Sequence, residues 1–285
     1  MEMPLLDMKS LLVKAQQEKY GVGAFSIANM EMIMGAVKAA EELNSPIILQ
    51  IAEVRLNYSP LNLIGPMMIA AAKSSKVPIA VHLDHGISMG KIEEALELGF
   101  TSVMIDGSAH PLEKNIELTK AVMEKAKKYN VTVEAEIGKV GGSEDGKEDH
   151  GMIYTDVREA LKFYIDTNID ALAVAIGNAH GEYKGDPELN FEILDKINKE
   201  VDIPLVLHGG SGISEKDFRK CIELGIHKIN VATSTFNSVE AMVRKMYSEN
   251  NNGKIDYFKL HAAEIEGAYE NVKMHIEIFN SKNKA

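Results

Sequence analysis

Three segments of this chain end an apolar run on a His-Gly pair. Val77-Pro78-Ile79-Ala80-Val81 leads into His82-Leu83-Asp84-His85-Gly86. Ala171-Leu172-Ala173-Val174-Ala175-Ile176-Gly177 leads to His180-Gly181, and Ile203-Pro204-Leu205-Val206-Leu207 leads to His208-Gly209-Gly210-Ser211-Gly212. Neutral imidazole is the commonest metal-binding side chain. Three imidazoles on three parallel strands make an open site of the catalytic kind, with a fourth position left for substrate. A lone His at a strand end is ordinarily structural, but three of them, each followed by Gly, read as ligands: His85, His180 and His208. His82 alternates with Leu83 inside the run and reads as a buried hydrogen-bonding partner. His110, His150, His227, His261 and His275 have no comparable setting.

Carboxylates accumulate in the same places. Asp84 precedes His85, and Asp106 follows the run Ser102-Val103-Met104-Ile105. Glu134 and Glu136 lie two apart in a strand-like segment and so share a face. Charges inside a barrel are costly without compensation, so a metal or a hydrogen-bonding partner is expected beside them. Glu136 reads as a ligand or as the partner of one. Two small-residue turns, Gly209-Gly210-Ser211-Gly212 and Asn230-Val231-Ala232-Thr233-Ser234, each run into a helical segment. Such turns let backbone N–H groups and a helix N-terminus reach a phosphate.

The elements that must position these groups alternate from end to end. Strands are predicted over 21–26, 46–51, 78–83, 102–105, 131–137, 171–176, 204–207 and 228–231. Helices are predicted over 30–43, 61–75, 89–98, 112–129, 157–167, 191–199, 214–224 and 236–248. Alternation of this kind implies a parallel sheet. Eight units at this length close most simply into an α/β (β/α)8 TIM barrel, one domain over residues 1–285, with an open doubly wound sheet as the runner-up. In a barrel the loops after the strands share one face, and the unusual polar residues all fall there. An extra C-terminal amphipathic helix, about 257–279, lies outside the eight units and is expected to cap the barrel or bridge to a second subunit. The loop 141–151 is Gly-rich and acidic, as a mobile lid would be.

Composition narrows the classes. The chain has 285 residues, 45% of them hydrophobic and 26% charged, which suits a globular fold with a large core. Acidic residues number 42 against 31 basic, a net charge of −11. General binding to nucleic acid or to an anionic membrane surface needs the opposite balance. No run approaches the roughly 20 apolar residues of a membrane span, and the N-terminal segment lacks a signal-peptide layout. The one cysteine, Cys221, permits no intrachain disulfide. These features suit a cytoplasmic protein, and Cys221 reads as a packed thiol on a helix.

Taken in order, His-Leu-Asp-His-Gly, Glu-Ala-Glu-Ile-Gly, Gly-Gly-Ser-Glu-Asp-Gly, Gly-Asn-Ala-His-Gly, Leu-His-Gly-Gly-Ser-Gly and Lys-Ile-Asn-Val-Ala-Thr resemble the class II, zinc-dependent ketose-bisphosphate aldolases. That family includes the fructose- and tagatose-bisphosphate enzymes, and the likeness runs from about residue 7 to 279. It implies Zn2+ on His85, His180 and His208, with Asp106 and Glu136 holding or relocating the metal. It implies Asp84 as proton donor and acceptor at the aldehyde-derived oxygen, and Glu144 as the group that moves the proton on the dihydroxyacetone phosphate carbon. Gly181, Gly209, Gly210, Ser211, Asn230, Val231, Ala232 and Thr233 are the implied contacts for dihydroxyacetone phosphate. A monovalent cation (Na+ or K+) near the glycine loops and a homodimer or higher homo-oligomer are also implied. One feature departs from the family. Its fructose-bisphosphate members carry a C-terminal Arg for the distal phosphate, where this chain reads Ala263-Glu264-Ile265-Glu266. Arg55 could replace that Arg from another loop, or the aldehyde half carries no phosphate.

Other chemistries are weaker fits. A Schiff-base aldolase needs a buried, activated Lys. Strand six has none, and Lys228, the remaining candidate, is expected to face the helices or pair with an acid. A metal-dependent phosphosugar isomerase or epimerase could use the same ligands. A non-catalytic metal-binding barrel could dispense with Asp84 and the Glu144 loop.

Overall fold

The structure, a computed structural model, describes residues 4–142, 151–181, 183, 185, 187–249 and 256–285. Among these, eight strands form a closed parallel barrel in sequence order. They are β1 (Val22–Ser26), β2 (Ile47–Ala52), β3 (Ile79–Gly86), β4 (Ser102–Ile105), β5 (Thr132–Ile137), β6 (Ala171–Val174), β7 (Leu205–Leu207) and β8 (Ile226–Val231). The helices are α1 (Met8–Glu18), α2 (Met30–Glu42), α3 (Leu61–Ser74), α4 (Met89–Leu98), α5 (Leu112–Ala126), α6 (Val157–Thr167), α7 (Phe191–Glu200), α8 (Glu215–Glu223), α9 (Thr233–Glu249) and α10 (Tyr257–Ile278). The TIM barrel and its C-terminal helix are as the sequence predicts.

Strand alternation divides the interior into two levels. The outward residues Ile79, Val81 and Leu83 of β3, Val133, Ala135 and Ile137 of β5, and Ile229 and Val231 of β8 pack under the helices. Inward residues at the N-terminal end are apolar: Ala24, Ile48, Ala80, Ala173 and Val206 cluster with Met8, Leu11, Leu12 and Ala15 of α1. α1 thus plugs the bottom of the barrel, a helix the sequence reading did not predict. Asp7 caps it, its side chain accepting from the Ser10 N–H. Further along the same strands the inward positions turn polar: Gln50, His82, Asp84, Glu134, Glu136, Lys228 and Asn230 are all buried.

Two boundaries differ from the prediction in ways that matter for the site. β3 runs on to Gly86, with a register shift against β4 between Leu83 and Gly86. His85 there has φ 43°, in the left-handed region. Neighbouring residues of a regular strand point to opposite faces; this break lets Asp84 and His85 both face the interior. Left-handed backbone in a non-glycine residue is uncommon and tends to occur where geometry serves a site. Second, α9 starts at Thr233, three residues earlier than predicted, so its first turn sits directly at the end of β8.

α10 lies against α2 and α9. Glycines allow the close approach: a Cβ on Gly35 would stand 2.4 Å from the Ile265 carbonyl oxygen, and one on Gly267 would stand 2.5 Å from the Val239 Cα. Among the described residues no helix is long and apolar enough to cross a membrane.

Candidate active site

The three strand-end histidines meet at the C-terminal mouth. Each of His85, His180 and His208 offers a ring nitrogen, and these atoms lie within 4.8 Å of one another. The inner nitrogens of two rings, His85 Nε2 and His208 Nδ1, are 2.8 Å apart. Their outer nitrogens are anchored to carboxylates: His85 Nδ1 is 2.8 Å from Asp106 Oδ2, and His208 Nε2 is 2.8 Å from Glu134 Oε1. A carboxylate on the outer nitrogen fixes the tautomer and leaves the inner lone pair available to a cation. Asp106 is itself held by the Ser108 backbone N–H at 3.1 Å and the Ser108 hydroxyl at 2.6 Å.

Burial sets the ionisation of these groups. His180 is pulled down to about 3, first by burial and then by the neighbouring His85. His208 is held well below the usual imidazole range, again by burial first and His85 second. Burial alone would raise the Asp106 carboxyl, but the hydrogen bond and charge of His85, with the Ser108 bonds, hold it well below the ordinary carboxylate range. Glu136 is pushed up to about 8, by burial first and then by the charge of Asp106.

This donor set fits a divalent metal. The three imidazoles are buried or nearly so and convergent, and burial holds His180 and His208 toward their neutral forms. A second group, His85, Asp106 and Glu136, overlaps the first. Glu136 Oε1 accepts from the Val140 N–H at 3.2 Å, while Oε2 has no hydrogen-bond partner among the described residues and lies 3.6 Å from His208 Nδ1. A buried carboxylate oxygen left in this way is costly, and a cation among the rings would satisfy it. Zinc accepts His and carboxylate ligands together.

Asp84 is clamped from two sides. Gln50 of β2 donates Nε2–H to Asp84 Oδ2 at 3.0 Å, and Asn230 of β8 donates Nδ2–H to Asp84 Oδ1 at 3.0 Å. Asn230 thus turns its NH2 toward Asp84 and its amide oxygen toward Lys228. Glu144 lies outside the described residues.

The two small-residue turns lie against each other. Gly210 N–H donates to the Asn230 carbonyl at 3.1 Å, and Ser234 N–H donates to the Ser211 hydroxyl oxygen at 2.9 Å. These bonds bring the loop after β7 onto the first turn of α9. Gly209 has φ 64°, and a Cβ there would stand 2.1 Å from the Ala179 carbonyl oxygen, so glycine is required. Gly181 also has positive φ, 84°. The Val231 side chain is buried outward, under the helices, which leaves its backbone for the mouth. Ala232 and Thr233 lead into α9.

The sequence reading missed several members. Asn178 bridges the neighbouring strands: its Oδ1 accepts from the Ile176 N–H at 2.8 Å, and its Nδ2 donates to the His208 carbonyl at 3.0 Å. The Tyr183 hydroxyl accepts from the Ala179 N–H at 2.9 Å and donates to the Gly209 carbonyl at 2.9 Å. Gln50 is the single amide in the apolar run of β2, a polar interruption visible in the sequence. Of the two settings expected for Lys228, the structure gives the acid pair: Nζ is 2.8 Å from Glu134 Oε2, inside the barrel. His82, as expected, is buried, its Nδ1 2.9 Å from the Ser102 hydroxyl oxygen.

A closed parallel barrel with this centre at its C-terminal mouth is a metal-binding barrel of the enzymatic kind. The model of the family described as fructose-bisphosphate aldolase class-II matches residues 6–284. The fructose-bisphosphate aldolase of Staphylococcus aureus is 41% identical over 286 residues, covering 99% of this chain and 100% of that protein. A 6-phospho-5-dehydro-2-deoxy-D-gluconate aldolase of Halalkalibacterium halodurans is 39% identical over 288 residues, covering 99% of each. The crystal structure of the YdjI aldolase from Escherichia coli K12 superposes with a TM-score of 0.88 at 34% identity, covering 99% of each chain. The chain belongs to the class II fructose-bisphosphate aldolase family. It is an aldolase, a carbon–carbon lyase acting on ketose phosphates.

Proposed function

We propose that this aldolase reversibly cleaves a ketose 1,6-bisphosphate of fructose or tagatose type, or a related ketose 1-phosphate, to dihydroxyacetone phosphate and an aldehyde. The observation that carries this reading is the convergence of His85, His180 and His208 one residue from the doubly clamped Asp84. The three rings would hold Zn2+, with Glu136 and Asp106 as carboxylates able to join it or receive it in a second position. Zinc, when bound, supplies Lewis acidity that stabilises negative charge developing on the substrate oxygens.

The protein's own groups do the rest. Asp84 takes the hydroxyl proton as the carbon–carbon bond breaks and returns it in the synthetic direction. Gln50 and Asn230 aim its two oxygens and keep them from rotating away. Gly181, Gly209, Gly210, Ser211, Val231, Ala232 and Thr233 form the cradle for the phosphate of dihydroxyacetone phosphate, with the N-terminus of α9 adding backbone N–H groups. Asn230 is a further contact for dihydroxyacetone phosphate, and its amide also holds Asp84. Glu144 moves the proton on the dihydroxyacetone phosphate carbon. A monovalent cation (Na+ or K+) beside the glycine loops, a homodimer and a cytoplasmic setting complete the proposal.

The second half of the substrate meets a different rim. Glu264 of α10 accepts from Asn29 Nδ2 at 2.6 Å, which places a carboxylate beside the end of β1. Arg55 follows β2, its guanidinium carbon 5.8 Å from the Phe236 ring centre. A distal phosphate would be repelled by Glu264 and attracted by Arg55. Assay of dihydroxyacetone phosphate release from ketose 1-phosphates and 1,6-bisphosphates, with and without chelator, tests the reading. Cleavage untouched by chelator overturns the metal assignment.

A further inference from the structure

Lys228 is the one fully buried cation of the interior among the described residues, and the chemistry proposed above gives it no task. We propose that it is a positioning residue that fixes two arms of the site at once: the His208 tautomer through Glu134, and the Asp84 carboxylate through Asn230. This rests on the reading of His208 as a ligand and Asp84 as the proton-transfer group.

The Lys228 ammonium can only donate. Its Nζ is 2.8 Å from Glu134 Oε2 and 2.8 Å from Asn230 Oδ1. Asn and Gln amides can be turned either way unless their neighbours decide. Here they decide: Asn230 has a donor-only ammonium on one side and a carboxylate on the other. It must give its oxygen to Lys228 and its NH2 to Asp84 Oδ1 at 3.0 Å. Asp84 selects the NH2 end of the amide and the ammonium holds its oxygen end; without the ammonium the amide loses one of the two contacts that fix it.

The second arm runs the other way. Glu134 spends one oxygen on Lys228 and accepts from His208 Nε2 with the other, at 2.8 Å. That puts the proton of His208 on Nε2 and leaves Nδ1 as the lone-pair nitrogen. Nδ1 is the atom that faces His85 Nε2. A buried carboxylate without a counter-charge is costly, and Lys228 supplies that charge without competing for the metal. Register makes the arrangement possible. Lys228 and Asn230 lie two apart on β8 and so share its inward face. The Lys228 ammonium therefore reaches both Glu134 and Asn230.

The test is the pair Lys228→Met and Lys228→Met/Glu134→Gln. The double variant removes both charges, so it keeps a neutral interior if the single variant does not fold. Zinc affinity is read by chelator competition and turnover by dihydroxyacetone phosphate release. The folded variant is expected to bind zinc about 10–100-fold more weakly. At saturating zinc its kcat is expected to fall by about tenfold or more with KM within about threefold, the pattern of a group acting in the transition state. Retention of either zinc affinity or kcat within about twofold of wild type overturns the proposal. Imidazole 15N spectra of the wild-type protein give an independent reading: His208 is expected to be protonated at Nε2, and protonation at Nδ1 overturns it. A wild-type protein that neither binds zinc nor cleaves would instead sink the functional reading, while the nitrogen spectra would still decide the tautomer.

Discussion

Replacing Asp84 with Asn isolates the proton-transfer role with the least change of shape. The carboxylate accepts two amide hydrogen bonds, 3.0 Å from Gln50 and 3.0 Å from Asn230. An Asn side chain has one acceptor oxygen and one NH2. Whichever way it turns, its NH2 confronts the NH2 of Gln50 or of Asn230. One buried donor is left unsatisfied, at about 1–3 kcal/mol of stability. The chemical loss is larger. A positioned acid or base contributes about 10²–10⁴-fold in rate, so kcat for cleavage should fall by about that factor, or about 3–5 kcal/mol of barrier. The three imidazoles are untouched, so zinc content should stay at the wild-type value, and KM should change little. The assay couples dihydroxyacetone phosphate release to NADH oxidation, with zinc measured by atomic absorption on the same sample. A variant that keeps wild-type kcat at full zinc content refutes the assignment of Asp84. One that loses zinc in proportion to activity refutes the separation of its role from the metal's.

Other outcomes can be stated from single contacts. Gly209→Ala would bring a Cβ 2.1 Å from the Ala179 carbonyl oxygen at φ 64°; we expect a loss of more than about 2 kcal/mol in denaturant unfolding, with KM for the phosphorylated substrate raised. Gly35→Ala would press on the Ile265 carbonyl where α2 crosses α10, and an overpacking cost of about 1–3 kcal/mol should show in the same measurement. Burial pushes the Cys221 thiol up to about 12, so Ellman's reagent should find no reactive thiol in the native protein and one after denaturation. Cys221→Ala should keep activity within about twofold.

The strands were legible because both their faces are buried, which writes them as apolar runs. The three histidines were legible because each interrupts that pattern at its C-terminal end. β3 resisted reading at its end, since the left-handed turn at His85 answers to the β3–β4 register shift and to packing, not to local composition. α1 was hidden by Lys9 and Lys14 among its apolar residues, although Met8, Leu11, Leu12 and Ala15 have helical spacing. The start of α9 was hidden by a polar first turn, Thr233-Ser234-Thr235, whose partners Ser211 and Asn271 are remote in the chain. The least legible part was the bonding beneath the metal centre. Which of Gln50, Glu134, Lys228 and Asn230 would meet depends on barrel register and strand height. Periodicity says only that each faces inward. Asn178 and Tyr183 were silent for the same reason: both act on backbone groups of the next unit.

The central claim is that a metal on His85, His180 and His208 makes this barrel an aldolase for a substrate that yields dihydroxyacetone phosphate. The most direct measurement is dihydroxyacetone phosphate release from a panel of ketose 1-phosphates and 1,6-bisphosphates, before chelation, after chelation and after zinc is returned. The account predicts cleavage of at least one member that chelation abolishes and zinc restores. Cleavage that survives chelation, or borohydride trapping of a substrate on Lys228, would contradict it.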